Sequence, residues 1–316
     1  SYTLLLGGHN VHVHDVNLPH SSAQFLVFAA ARNYSAQRLT SSYTSSGGIQ
    51  IQGCCYNGKV YNMSVGRGYD DMISVNPYET DGYENFQVSN GDICGVDING
   101  IDVSDQQGTG IVTLYAAEVP KLSGVSIRNV TGSCPTGGAV RLYGYNAGAA
   151  TIIEDVVIDN IDANAYYALQ LVCNATSMTV RSLTATRLVN NFDLVTNIPI
   201  LIGVKCKVLD GSLEMIQRAS NWPASTWASL VTLTGQVVNC RFKFLVYAGV
   251  SEKVGLLYIA PDAACGHIAI VDSYIPSSVS MLRAVKVNTS TAIGTMAFRN
   301  NDMTTEVGLS WGDGTV

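Results

Sequence analysis

Short triplets of alternating apolar, central and apolar residues recur along the whole chain. Most central residues are polar, as expected of a β-strand with one face in a core and the other in water. The central residues lie 23 to 39 positions apart. We call each pass of the chain that contributes one triplet a rung, and the pattern predicts eleven stacked rungs. Their triplets are Leu26–Phe28, Ile49–Ile51, Ile73–Val75, Val112–Leu114, Val140–Leu142, Leu169–Leu171, Ile200–Ile202, Val231–Leu233, Leu257–Ile259, Val285–Val287 and Leu309–Trp311.

A second recurring feature, an asparagine or serine at one corner of a rung, keeps a regular phase with the triplets. Asparagine tolerates the left-handed backbone conformation of a sharp corner, so asparagines stacked at one corner are physically reasonable. Helical periodicity is nearly absent, and the rungs are too irregular for a leucine-rich horseshoe. We therefore predict an all-β, single-stranded right-handed parallel β-helix, a solenoid of about eleven rungs and about 50 Å in length. The corner residues would be Asn62, Asn129, Asn160, Ser182, Ser273 and Asn300.

The chain is predicted to form one domain. Residues 1–316 would be a single β-helix domain, a fragment of a longer chain, whose exposed last rung is capped by a further domain or by neighbouring subunits. The longest spacing, between Ser74 and Thr113, places its excess in residues 76–93. Insertions of this kind lie on one face of a solenoid, often the binding face. We expect residues 76–93 to form a loop beside a ligand groove.

Composition and charge restrict the partners. Apolar residues make up 47% of the chain, the net charge is −6, and no run of Lys or Arg occurs. This argues against nucleic acid and anionic membranes as partners and favours a neutral or weakly charged ligand. The eight cysteines are predicted to be free and mostly buried. Three histidines, His9, His12 and His14, raise the alternative of a metal site, but no further ligand pattern supports it. We predict no metal and no cofactor.

Carboxylates and tyrosines are concentrated between positions 69 and 84 in a chain with only 13% charged residues. Two neighbouring carboxyl groups can act as acid and as base or nucleophile toward a glycosidic bond. The candidate catalytic residues are Asp70, Asp71, Glu79 and Glu118. Glu79 and Glu118 each follow their triplet by four residues and should stack in neighbouring rungs. The alternative is that Asp70 and Asp71 cap a turn and that the glutamates are ordinary exposed carboxylates.

The candidate substrate-binding residues are an arginine and a set of tyrosines near successive triplets. Aromatic rings stacked along one face would form a groove for pyranose rings, and the planar guanidinium of an arginine can bind hydroxyl or acidic substituents. The alternatives are ring stacking within or between subunits, and pairing of the arginine with a neighbouring carboxylate. These candidates are Arg141, Tyr69, Tyr78, Tyr115, Tyr143, Tyr145 and Tyr167.

Four short segments next to successive triplets carry a resemblance to a known family. They read Ser45-Ser46-Gly47, Tyr69-Asp70-Asp71, Gly108-Thr109-Gly110 and Arg141-Leu142-Tyr143. In order and phase they resemble the Asn-Thr-Asp, Gly-Asp-Asp, Gly-His-Gly and Arg-Ile-Lys segments of polygalacturonase-type glycoside hydrolases. The Asp pair and the Arg are kept, whereas the first Asp, the His and the Lys are not. The whole chain resembles the pectate-lyase-like β-helix superfamily, especially the tailspike depolymerases of bacteriophages.

That resemblance implies a function. Tailspike depolymerases are homotrimers on the virion tail, where they meet other tail proteins, and they act outside the host cell on its surface polysaccharide. The chain is accordingly expected to be an endo-acting glycoside hydrolase that cleaves bacterial capsule or O-antigen. Two alternatives stay open: a polysaccharide lyase on the same fold, and a binding-only adhesin. Fold by itself does not decide among them.

Overall fold

A computed structural model describes residues 2–77, 91–116, 121–144, 152–176, 178–186, 200–202, 207–208, 211–217, 228–233, 236–246, 254–260, 263–276, 283–287, 292–303, 308–311 and 314–315. These residues are all-β, without a helix among them, and therefore without a helix that could cross a bilayer. The strands are β1 (Tyr2–His9), β2 (His12–Asn17), β3 (His20–Ser21), β4 (Gln24–Thr44), β5 (Ile49–Gln52), β6 (Tyr56–Gly68), β7 (Ile73–Asn76), β8 (Ile93–Gln106), β9 (Gly110–Ala116), β10 (Leu122–Gly144), β11 (Ile152–Val172), β12 (Asn174–Thr176), β13 (Met178–Thr186), β14 (Ile200–Ile202), β15 (Lys207–Val208), β16 (Gly211–Gln217), β17 (Ala228–Leu233), β18 (Gln236–Val246), β19 (Val254–Ile259), β20 (Ala264–Val271), β21 (Tyr274–Ile275), β22 (Arg283–Val287), β23 (Ala292–Arg299), β24 (Asp302–Met303), β25 (Gly308–Trp311) and β26 (Gly314–Thr315).

The strands pair in parallel with strands one rung further along the chain. Among the described strands, only β25 and β26 pair antiparallel. The eleven predicted triplets align residue for residue: Leu26 pairs with Ile49, Ile49 with Ile73, and so on to Val285 with Leu309. The prediction that the triplets stack is therefore confirmed. One further member precedes them, because Leu4–Leu6 in β1 pairs with Leu26–Phe28.

Part of the core consists of apolar residues on either side of the triplet centres, and the other long strands supply the rest. Ile49, Ile51, Ile73 and Val75, for example, are at most 1% exposed. Burial of one such side chain stabilises the fold by about 1.5–3 kcal/mol. The same alternation turns the centres outward, but the expectation that these centres face water is wrong for three of the first four. Val27, Gln50 and Thr113 are at most 5% exposed. In the case of Thr113, side chains from adjoining rungs cover it, as described below.

The predicted asparagine corner is present. Asn62, Asn129, Asn160 and Asn300 all have a left-handed backbone, with φ between 53° and 58°. Two of these side chains bond directly to each other along the stack, where Asn160 Nδ2 donates to Asn129 Oδ1 at 2.6 Å. The prediction for Ser273 is wrong by one position, because Asp272 has the left-handed backbone and accepts from Asn300 Nδ2 at 3.4 Å. A second corner of the same kind contains Asn10, Asn33 and Asn57.

Five cysteines confirm the prediction of buried thiols outside disulfides. They are Cys55, Cys134, Cys173, Cys240 and Cys265, while Cys54 and Cys94 also form no disulfide and are half-buried. The sequence offers several Asn-x-Ser/Thr sites, and those at Asn33 and Asn129 belong to the corner stacks. Their side-chain nitrogens donate to Asn10 and Asn99.

Candidate functional site

The segment Tyr69–Asp71 forms the turn that leads from β6 into β7, and the next rung holds its backbone. Gln106 is fully buried, and its amide nitrogen donates to the backbone oxygens of Asp70 and, at 2.7 Å, of Gly110. Gly108 lies directly against the turn: a Cβ there would be 2.6 Å from the backbone nitrogen of Asp70. The backbone N–H of Asp71 donates to Asp70 Oδ1 at 2.8 Å. This turn therefore has a fixed geometry, in which Asp70 is exposed and Asp71 is covered.

Asp71 is the centre of a buried polar cluster. It is 3% exposed. Its Oδ1 accepts hydrogen bonds from the hydroxyls of Thr109 and Thr113, both at 2.6 Å, and its Oδ2 accepts one from Tyr115 at 2.5 Å. Arg141 Nη1 completes the set at 3.7 Å from Oδ1. A carboxyl group held by three hydroxyls and an arginine is well satisfied despite its burial.

Two glycines make room for this cluster. Gly110 and Gly138 stand in register in adjoining rungs, each three residues ahead of its triplet centre. A Cβ at Gly110 would lie 2.6 Å from Thr113 Oγ1, 3.0 Å from Arg141 Cδ and 3.1 Å from Asp71 Oδ1. A Cβ at Gly138 would lie 2.6 Å from Arg141 Cγ. The arginine side chain can reach back toward Asp71 because these two positions carry no side chain.

Arg141 also joins the cluster to the following rung. Its Nε donates to Gln170 Oε1 at 2.8 Å, and its guanidinium carbon lies 5.1 Å from the centre of the Tyr143 ring. The Tyr143 and Tyr115 rings meet edge to face, with centroids 6.1 Å apart. Arg141 is 12% exposed, while both tyrosines are half-buried. The outer rim of the cluster is thus formed by two aromatic rings and the edge of a guanidinium.

Burial and the Asp71 carboxyl group determine the protonation of neighbouring groups. Burial, followed by the negative charge of Asp71, raises the pKa of Tyr115 far above its usual value. The phenol therefore stays protonated near neutral pH and acts as a hydrogen-bond donor. Burial likewise raises the pKa of the Cys134 thiol to about 12, with a smaller contribution from Asp71. Neither Tyr115 nor Cys134 is suited to act as a base or nucleophile at neutral pH.

The predicted site residues separate into three groups. Asp71, Tyr115, Arg141 and Tyr143 are brought together in the cluster. Asp70, Tyr69 and Tyr167 lie at its edges: Asp70 and Tyr69 are exposed in the turn, and Tyr167 pairs in register with Gly138 and packs against Tyr166 with centroids 4.6 Å apart. The third group, which lies outside the described residues, comprises Tyr78, Glu79, Glu118 and Tyr145, with most of the predicted loop 76–93.

The four segments that carried the family resemblance lie side by side. Gly47 contacts Asp71, since a Cβ there would lie 2.9 Å from the Asp71 carbonyl oxygen. Gly108 and Thr109 contact the turn from the next rung, and Arg141 reaches Asp71 from the rung after that. The order of these segments along the sequence is therefore also their order along the stack. Their roles stay a prediction.

Several residues of the site were not found from the sequence. Thr113 was counted only as a triplet centre, and Gln106, Gln170, Gly110 and Gly138 were not singled out as site residues. One signal was available: glycine recurs three residues before the triplet centre in two consecutive rungs. A missing side chain at the same place in adjoining rungs indicates that another side chain passes over it.

The fold and the cluster together define an all-β protein of stacked parallel strands, with an Asp–Tyr–Arg cluster at its surface whose carboxyl group is buried. No protein-family model matches the chain, and no curated protein matches its sequence. Among solved structures, the Streptococcus pneumoniae surface protein and adhesin PfbA matches with a TM-score of 0.26 and 11% sequence identity. The match covers 94% of this chain and 91% of that chain. A likeness at this score supports no conclusion about function.

Proposed function

We propose that this chain is a right-handed parallel β-helix that binds bacterial surface polysaccharide and cleaves it as an endo-acting glycoside hydrolase. The observation that carries the proposal is the Asp71 cluster, which three successive rungs assemble beside the exposed carboxyl group of Asp70. Aromatic rings at its rim offer flat apolar faces to sugar rings. In this proposal the protein is a homotrimeric bacteriophage tailspike that acts outside the host cell.

Asp70 and Asp71 have different roles in this proposal. Asp71 already accepts from Thr109, Thr113 and Tyr115, so few of its lone pairs are left for a substrate. It is a positioning residue that orients Tyr115 and Arg141. Asp70 is the exposed member and the catalytic carboxyl group. Its predicted partner is a glutamate outside the described residues, as set out above.

The reaction needs two carboxyl groups. One protonates the glycosidic oxygen, and the other either activates a water molecule or attacks the anomeric carbon directly. The Tyr115 hydroxyl donates its proton to Asp71, so its oxygen would accept from a sugar hydroxyl at the rim. The N–H groups of Arg141 that Gln170 and Asp71 do not engage would donate to sugar oxygens there. Tyr143 and Tyr69 would contact the apolar faces of sugar rings.

The structure provides arguments about both alternatives. A lyase needs a base beside a uronate carboxylate, and Tyr115 is a poor one because its pKa is strongly raised by burial and by Asp71. Arg141 is engaged with Asp71 and Gln170. Hydrolysis is therefore the better proposal. A binding-only adhesin is favoured by one observation, the hydrogen-bonded state of Asp71, which removes it from direct chemistry.

The test is to screen the protein on an array of purified bacterial capsular and O-antigen polysaccharides, then to digest any polymer that retains it. New reducing ends without an unsaturated-sugar absorbance support hydrolysis, whereas that absorbance identifies a lyase. Binding without a fall in polymer size identifies an adhesin. Failure of the whole array to retain the protein overturns the proposal.

The site assignment is tested with Asp70→Asn. We expect the cleavage rate to fall about 100-fold or more, the usual contribution of a positioned acid or base. The matched control is Asp102→Asn, which removes an exposed carboxylate whose partner is Thr131 on another part of the surface. A loss below about tenfold, about 1.4 kcal/mol, would show that Asp70 is not catalytic.

A further inference from the structure

A strip of aromatic side chains leads up to the Asp70 turn from the N-terminal rungs. The ring centroids of His20 and Tyr43 are 6.0 Å apart, and those of Tyr43 and Tyr69 are 5.7 Å apart. The rings are tilted by 49° and 58° respectively. Tyr69 is 46% exposed, His20 is exposed and Tyr43 is half-buried. We call His20, Tyr43 and Tyr69 the aromatic strip.

The strands hold the aromatic strip in place. His20 pairs in register with Tyr43, and Tyr43 with Arg67, so that one residue comes from each of three successive rungs. Tyr69 follows Arg67 by two residues and lies over the same column. Arg67 Nε donates to Asp105 Oδ2 at 2.7 Å. The strip therefore rests on paired strands, and the positive charge beside it is balanced by a carboxylate.

The strip is continuous with the proposed site. Tyr69 immediately precedes Asp70, and Tyr115 and Tyr143 lie on the far side of Asp71 in the next two rungs. Aromatic side chains thus lie on both sides of the Asp70–Asp71 turn, and they span five consecutive rungs. A single extended molecule lying along this path would contact the strip, pass Asp70 and reach the Tyr115–Tyr143 pair.

We propose that the aromatic strip is a binding site for uncharged sugar residues, which holds the polysaccharide on the N-terminal side of the bond that is cleaved. This inference rests on the proposed function and extends its site to His20 and Tyr43. Aromatic faces with polar groups around them suit pyranose rings, which have apolar faces and hydroxyl edges. Because Asp105 balances Arg67, the strip gives an anionic sugar no advantage.

The strip is tested with His20→Ala and Tyr43→Ala in the whole chain, because these two members lie outside the site already proposed around Asp70. The probe is the polysaccharide that retains the protein on the array, together with short fragments of it. For the long polymer we expect KM, or Kd if it is bound without cleavage, to rise about threefold to tenfold. We expect kcat to stay within about twofold, because the strip does not touch the reacting atoms. Short fragments, which occupy only the sites around Asp70, should be processed as by the unaltered protein.

The matched control is Tyr274→Ala, which removes a tyrosine that is 40% exposed and lies in the distant strand β21. Unfolding midpoints show whether each variant is folded, and His20→Ala alone decides the test if Tyr43→Ala is not. If the unaltered protein and the strip variants have equal KM values, this inference is wrong. The proposed function is still supported in that case if Asp70→Asn shows its expected loss of cleavage rate. An equal loss on short fragments and long polymer overturns it as well. If nothing on the array retains the protein, both proposals fall.

Discussion

Replacing Thr113 by valine tests the cluster with a small change. Thr113 is fully buried, and its hydroxyl donates to Asp71 Oδ1 at 2.6 Å. Valine puts a methyl group in place of the hydroxyl and keeps the β-branching that favours a strand. The substitution therefore removes one hydrogen bond to a buried carboxyl group and leaves the backbone and the side-chain volume nearly unchanged.

The expected loss in the free energy of unfolding depends on the hydrogen-bond partners that Asp71 keeps. A hydrogen bond to a charged group contributes about 1.5–3 kcal/mol to stability, and a buried acceptor that loses a donor bears part of its desolvation penalty. Asp71 Oδ1 keeps the Thr109 hydroxyl at 2.6 Å and Arg141 at 3.7 Å. We therefore expect a loss near the middle of that range, about 2 kcal/mol.

Thr131→Val is the matched control. Thr131 makes the same kind of bond, to Asp102 Oδ1 at 2.7 Å, but both residues are exposed. Water replaces the lost donor there, so the free energy of unfolding should change by less than about 0.5 kcal/mol. Both values are measured by urea unfolding followed by circular dichroism, with the m-value checked for each variant. Equal losses in the two variants, or no loss in Thr113→Val, would refute the argument that burial makes this bond important.

Two further predictions concern neighbours of the cluster. Gly110→Ala should lower the free energy of unfolding by about 2–4 kcal/mol, because the new Cβ would overlap Thr113 Oγ1 and crowd Arg141, so that overpacking adds to a lost hydrogen bond. Urea unfolding measures this free energy, and a value equal to that of the unaltered protein would contradict the prediction. Cys134, with a pKa raised to about 12 by burial, should resist a thiol reagent at pH 8 while half-buried Cys94 reacts, as read by peptide mass spectrometry. Labelling of both cysteines at equal rates at pH 8 would contradict the raised pKa of Cys134. Because folding favours the neutral Cys134 thiol, the contribution of this thiol to stability is complete below the pKa of the unfolded thiol and decreases as the pH rises toward about 12.

Part of the candidate site followed from sequence, and part did not. The rung spacing placed Asp71, Thr109 and Arg141 in adjoining rungs, because residues at equal distances from stacked triplets become neighbours. Nothing in the sequence distinguishes the role of Asp70 from that of Asp71. Which of two adjacent aspartates turns toward Thr113 depends on the conformation of the Tyr69–Asp71 turn, and that is fixed by contacts with the next rung.

The sequence by itself determined the stack and its register. Alternation of apolar and polar residues has period two and is local, so each triplet indicates which side chains enter the core. Because the core-facing residues of adjoining strands must lie side by side, Leu26 is expected to pair with Ile49, as it does. One left-handed corner was also predicted at its asparagines, because it depends on the backbone preference of a single residue such as Asn62, whereas Asp272 and the second asparagine corner were not.

Only the tertiary structure decided which side chains meet on the outer surface. Arg141 reaches Asp71 because Gly110 and Gly138, 28 residues apart in sequence, leave adjoining positions empty. The strip formed by His20, Tyr43 and Tyr69 likewise exists because three separate rungs are stacked. A long side chain has many rotamers, and the one it takes depends on the room left by residues in other rungs. Those residues become neighbours only when the rungs are stacked.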